Sequence, residues 1–172
     1  MTQNVLVPTV VLAVGFVACV SDVRSRRIPN VLTFGAAVAA FIVHGLTGGA
    51  SGLLGSAGGW FTGTLLFLPF FLLGGMGAGD VKLLAALGAW LGPRETCWLA
   101  VYSAIAGGVI GVVVALAQGY LGTALRNVRA MVSYWQTVGF RPVPELTLAN
   151  AKGPRIAYAV PIFAGTLVML WL

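Results

Sequence analysis

The sequence predicts an all-α, polytopic transmembrane bundle of about six spans, and three observations carry that prediction. Hydrophobic residues make up 59% of the 172-residue chain and charged residues only 8%, against about 25% charged in an ordinary soluble domain. A water-soluble fold of this size has too little interior to hide so much apolar surface, so the solvent must be lipid. The apolar residues gather into six stretches, and nine of the ten Lys and Arg fall in connections that those stretches place on one side.

The first stretch runs from about Val5 to Val20. Met1-Thr2-Gln3-Asn4 carries no basic residue and no small-residue cleavage site follows, so it reads as a retained span rather than a secretory signal. The second covers Val31 to Leu46. The third covers Leu53 to Leu73, with Pro69 expected to kink it. Val81 to Leu91 is too short to cross alone at about 20 residues per span. It must tilt, borrow flanking residues or begin inside a protein-lined recess. Cys97 to Leu121 and Ile156 to Leu172 complete the set.

Charge orients this bundle. Ser21–Asn30 holds Arg24, Arg26 and Arg27; the Gly74–Lys82 turn holds Lys82; Gly122–Arg155 holds Arg126, Arg129, Arg141, Lys152 and Arg155. The opposite side has only Arg94, beside Glu95. By the positive-inside rule the nine cations face the cytoplasm and both termini face outward. The basic balance is therefore explained by topology, and with no basic, aromatic-interleaved soluble module, no nucleic-acid partner is expected.

Within the last cytoplasmic segment, Leu121, Leu125, Val128, Val132 and Trp135 recur at helical spacing, with Arg126, Asn127, Arg129, Ser133 and Gln136 elsewhere on the wheel. That pattern is a cationic amphipathic helix, suited to the headgroup region or to packing on the protein's own spans. Pro142, Pro144 and Pro154 then mark an irregular return. The chain has no internal repeat and reads as one membrane domain, residues 1–172.

Glycine contributes 24 residues. Gly55, Gly59 and Gly63, then Gly107, Gly111 and Ala115, fall at four-residue spacing, a pattern that lets helix backbones approach closely in lipid. Cys19 and Cys97 form no CxxC pair and lie near opposite faces, so neither a disulfide nor a redox pair is expected. With one His and no acidic cluster, no metal site or other cofactor is expected. His44, near the outer end of the second span, reads as structural.

The chain has two aspartates, Asp22 and Asp80, and ionisable groups at membrane depth cost about 2.5–3.5 kcal/mol each on insertion scales. Asp22 directly follows the first span; Asp80 closes Gly-Gly-Met-Gly-Ala-Gly-Asp and opens the short fourth one. Each alone has a structural reading: Asp22 as an interfacial partner of Arg24 or Arg26, Asp80 as a helix cap. Together, on one face, they read as functional, since two carboxylates that can approach one another offer a route to peptide hydrolysis. Two close carboxylates hold one proton between them. The ionised member takes a proton from the attacking water while the protonated member polarises the scissile carbonyl. Gly77 and Gly79, without side chains, would let a substrate backbone approach Asp80. Lys82 would favour the ionised carboxylate or hold a substrate carbonyl, or else snorkel to the interface. The arginines beside Asp22 are better explained by topology and anionic lipid.

Asp22-Val-Arg-Ser-Arg-Arg-Ile-Pro-Asn-Val-Leu-Thr33 and Gly74-Gly-Met-Gly-Ala-Gly-Asp-Val-Lys-Leu-Leu84 resemble the type IV prepilin peptidase family of GxGD aspartyl proteases, with Gly77-Ala78-Gly79-Asp80 as the GxGD element. The closing Gly153-Pro-Arg-Ile-Ala-Tyr-Ala-Val-Pro161 is similar to the family's final span. The resemblance implies that Asp22 and Asp80 are the catalytic pair. The implied reaction removes a short basic leader from a prepilin at the cytoplasmic face of the bacterial inner membrane, just before the prepilin's hydrophobic helix. The long members' paired CxxC motifs are absent, so the chain looks like the short, peptidase-only branch associated with tight-adherence (Flp-type) pili, and methyltransferase activity is not predicted for it. The expected partners are the prepilin and the lipid bilayer; the sequence fixes no oligomeric state. Two other classes use some of the same features: a proton or solute translocator with the carboxylates as a relay, which the missing pseudo-symmetric repeats disfavour, and a non-catalytic pilus-assembly subunit, which leaves the paired aspartate contexts unexplained.

Overall fold

A computed structural model describes residues 3–143, 146–147 and 156–172. Six helices follow in order: α1 (Gln3–Ser25), α2 (Asn30–Leu72), α3 (Ala78–Leu91), α4 (Pro93–Ala117), α5 (Leu121–Val138) and α6 (Ala159–Trp171). Among the described residues there is no strand. α1, α2 and α4 are long and apolar enough to cross a bilayer. Large side chains such as Val31, Leu46, Leu54 and Leu65 lie exposed on the outside of the bundle, while its interior combines Leu83, Leu84, Leu87 and Ile162 with small and polar residues such as Ala18, Ala40, Thr33 and Ser103, and lipid favours such close contacts through small residues.

The 43 residues of α2 contain two of the expected spans. The separate spans Val31–Leu46 and Leu53–Leu73 are joined by helical residues rather than by a loop, and the chain breaks at Gly49 alone, where φ is 60° and ψ −144°. Only glycine adopts that backbone without strain. The helix continues through Pro69 to Leu72, so the interruption sits twenty residues earlier than the proline.

The two arms of α2 embrace α3. From the first arm, Ala36 O accepts the Trp90 indole N–H at 2.9 Å; from the second, Ser56 donates to Ala89 O at 2.7 Å. Glycines allow the second arm to approach: a Cβ on Gly59 would run into Gly88 O, and one on Gly63 would lie 2.6 Å from Leu84 O. Gly55, in the same row, has nothing within 4 Å of its Cβ direction, so the row is a contact surface over only part of its length. α3 has 14 residues, about 21 Å at 1.5 Å per residue, less than the roughly 30 Å hydrocarbon core. From Asp80 to Trp90 every residue but Lys82 is buried. The helix begins in a recess walled by protein, which removes the need for it to span lipid unaided.

Gly92 (φ 85°) turns the chain and Pro93 opens α4, a position where the absent N–H costs nothing. α6 returns between α1 and α4: Phe163 packs on Gly15, Ser103 on Gly165, and Tyr158 on Gly107. His44 Nε2 meets Trp90 O at 3.2 Å at the far end of α3, a packing role. Cys19 and Cys97 are free thiols.

No residue of α5 is buried. Leu125 is 63% exposed, and Val128 and Val132 are exposed too, so this apolar face is not covered by the spans. Lys152, Arg155, Pro144 and Pro154 lie outside the described residues, and with them most of the expected return path.

Candidate active site

α1 ends in a tight cap built from its own residues. Arg26 takes a left-handed conformation (φ 54°) and its N–H donates to Asp22 O at 2.9 Å. Ser21 Oγ donates to Arg27 O at 2.8 Å. Pro29 is extended and caps α2, its carbonyl accepting from Leu32 and Thr33. The consequence is that Asp22, in the last turn of α1, points inward and is only 7% exposed. Its Oδ2 accepts the backbone N–H of Ala159 at 3.2 Å. The first residue of α6 thus donates a helix N-terminal amide, one of the groups with no partner inside its own helix.

Asp80 occupies the third position of α3, not the position before it. The helix starts at Ala78, three residues ahead of the expected Val81, and Gly77 is its cap. The Asp80 carboxylate folds back and accepts the Gly77 N–H at 3.2 Å, the reaching-back half of a capping box. The reading of Asp80 as the cap of a helix starting at Val81 is thus corrected: Gly77 is the cap, and Asp80 supplies the acceptor that reaches back to it, which orients the carboxylate. Asp80 is 8% exposed.

Gly77 and Gly79 have structural reasons that differ from the expected one. A Cβ on Gly77 would sit 3.1 Å from Asp80 Oδ2, so glycine makes room for the returning carboxylate. A Cβ on Gly79 would sit 3.3 Å from Ile28 Cβ. Gly79 lets the loop after α1 lie against the start of α3, which draws the two aspartate-bearing segments together. Lys82 donates to Asn30 Oδ1 at 3.0 Å and lies 5.3 Å over the Phe34 ring. It ties α3 to the beginning of α2, a polar anchor rather than a free interfacial cation.

Asp22 and Asp80 line one cavity of about 520 Å³, together with Arg26, Arg27, Ile28, Gly77, Gly79 and Lys82 among others. Asp80 lies ahead of the stretch Val81–Leu91 and opens on this cavity. Its acid is raised to about 7, chiefly because burial disfavours the charged form and secondly because the Asp22 carboxylate is near; the Gly77 N–H acts in the opposite direction. Such an arrangement can keep a proton on one carboxyl near neutral pH while the other accepts one.

All five residues singled out from sequence border this cavity. Sequence reasoning missed Ala159, Ile28 and Asn30. The only signal for Ala159 was its place in the closing Gly-Pro-Arg-Ile-Ala-Tyr-Ala-Val-Pro stretch; Ile28 and Asn30 lay within the motif after Asp22, unassigned.

A comparison with family models matches residues 9–112 to the type IV leader peptidase family. Comparisons with curated proteins and with solved structures gave no match. The matched region includes the end of α1 with Asp22, both arms of α2, all of α3 with Asp80 and most of α4. Since that region is more than half of the chain, the protein belongs to the type IV leader peptidase family and is a protease.

Proposed function

We propose that the chain is an aspartyl endopeptidase that removes the basic leader from a Flp-type type IV prepilin at the cytoplasmic face of the bacterial inner membrane. The observation that carries this reading is the single cavity bordered by the chain's two aspartates, each buried and each oriented by one backbone N–H. Within that cavity Asp80, which holds its proton up to about pH 7, is the acid that polarises the scissile carbonyl. Asp22 is the base that takes a proton from the attacking water. The tetrahedral intermediate collapses as a proton passes to the leaving amine, and the pair returns to its starting charge. Neither step requires a metal or a cofactor.

The topology supports the cytoplasmic placement. Arg24, Arg26, Arg27 and Lys82 lie at the same end of the bundle as the two carboxylates, and Arg126, Arg129 and Arg141 follow α4 back to it. The absence of CxxC motifs supports the peptidase-only branch.

The test is co-expression with a Flp-type prepilin, read by mass shift, followed by the purified enzyme on the same substrate. Asp22→Asn and Asp80→Asn should each insert normally and abolish cleavage. Undiminished processing by either purified variant would refute the assignment.

A further inference from the structure

A second recess lies beside the catalytic cavity and shares Lys82 with it. It encloses about 290 Å³ between the two arms of α2, with α3 as its floor. Thr33 and Phe34 come from the first arm, Trp60 and Thr64 from the second, and Val81 and Ala85 from α3.

Its chemistry is apolar in spite of the two threonines. Thr33 donates its hydroxyl to Asn30 O at 3.2 Å and Thr64 to Trp60 O at 2.9 Å. Both hydroxyls are thus turned back onto their own helices, leaving methyl groups for the recess. Lys82, at the boundary, has its ammonium engaged by Asn30 and the Phe34 ring. A polar ligand would find few free partners there, whereas aliphatic or aromatic side chains would replace water at a gain of about 25 cal/mol per Å² of apolar surface buried.

The location narrows the occupant. Ala85 stands five residues beyond Asp80 on α3, about 7.5 Å along the axis at 1.5 Å per residue. A chain cut beside Asp80 and continuing into the bilayer must pass this opening within about two turns of its own helix. A helix is about 10–12 Å across with its side chains, too wide to enter the recess whole. It would lie across the mouth, beside the half-exposed Phe34 (51%), and insert side chains.

We infer that the recess between the arms of α2 is the docking subsite for the hydrophobic segment that follows the scissile bond of the substrate, with Phe34, Trp60 and Thr64 as its specificity-determining walls. The inference rests on the peptidase reading of the neighbouring cavity. It assigns to α2 the recognition of the retained part of the substrate, apart from the chemistry at Asp22 and Asp80.

Two measurements on the full-length protein test it. In an Asp80→Asn background, which leaves substrate uncut, a photoreactive residue introduced at Phe34 should cross-link to the prepilin's hydrophobic segment; the same residue at Val109, an exposed position of α4, should label lipid only. Lipid adducts alone at Phe34, or equal prepilin adducts at both positions, would overturn the inference. Thr64→Phe fills the recess and Trp60→Ala removes a wall. Each should raise KM about tenfold while kcat changes less than about twofold, the signature of lost uniform binding. Unchanged KM in both variants, or a fall confined to kcat, would also overturn it. The peptidase reading has its own readout: if the wild type cuts and both aspartate variants do not, that reading stands whatever these experiments give, and prepilin capture at Phe34 by a chain that never cuts would sink only the peptidase reading.

Discussion

The glycine row on α2 offers the sharpest test of how the site is held, because two of its members have opposite surroundings. Consider Gly63→Ala. The new Cβ would lie 2.6 Å from Leu84 O and 2.9 Å from the Ala85 Cα and N. Ordinary van der Waals contact begins at 3.4 Å, and the opposing atoms are backbone, which cannot rotate aside. α3 must therefore retreat from α2 by about 0.5–1 Å at this level, and overpacking of this kind costs about 1–3 kcal/mol. Asp80 is carried on α3 one turn from Leu84, whereas Asp22 is fixed through α1 and α6. The retreat thus changes their relative position, and misplacement by about 1 Å can cost about 100-fold in rate. Gly55→Ala is the internal control: nothing stands within 4 Å, and alanine improves an unobstructed helix by about 0.5–1 kcal/mol. The assay is prepilin cleavage alongside thermal unfolding in detergent. Gly63→Ala should lose both rate and stability, and Gly55→Ala should lose neither. A Gly63→Ala enzyme with wild-type kcat would refute the claim that this close approach positions the helix that carries Asp80.

Two further outcomes follow from the same geometry. Because burial and the Asp22 charge raise Asp80 to about 7, its proton is present below that pH and lost above it, so kcat/KM should fall as pH rises through about 7, read from a pH–rate profile; a flat profile to pH 9 would exclude Asp80 as the acid. Ser56→Ala deletes a buried hydrogen bond to Ala89 O and should cost about 0.5–1.5 kcal/mol in thermal unfolding, with little change in the pH profile.

The sequence was most informative where a signal is local. Alternating apolar stretches and basic loops mark the membrane segments, and the two motifs put both carboxylates at the same end of them. It was least informative where a contact joins distant residues. No local pattern says that Ala159 donates to Asp22, 137 positions earlier, or that Lys82 reaches Asn30. The same limit explains the glycines. Their spacing announced close packing, yet only the surroundings distinguish Gly63, pressed on Leu84, from Gly55, which meets nothing. At Gly77 and Gly79 the motif says only that a side chain is missing; the structure adds that a Cβ there would meet the Asp80 carboxylate and the Ile28 side chain respectively. The Gly49 break was hidden among neighbouring glycines of equal local character, and a proline, Pro69, gave the louder but less relevant signal. The amphipathic pattern of α5 was plain, but whether spans cover its apolar face depends on tertiary placement.

The amide of Ala159 gives the site a chronology. A ribosome delivers the chain from its first helix onward, so the Asp22 side chain emerges long before the group that orients it exists. Until α6 takes its place between α1 and α4, one half of the carboxylate pair lacks its backbone donor, even though every residue matched to the family up to position 112 has already been made. The orientation of Asp22 is therefore complete only once the closing helix has been made and has docked.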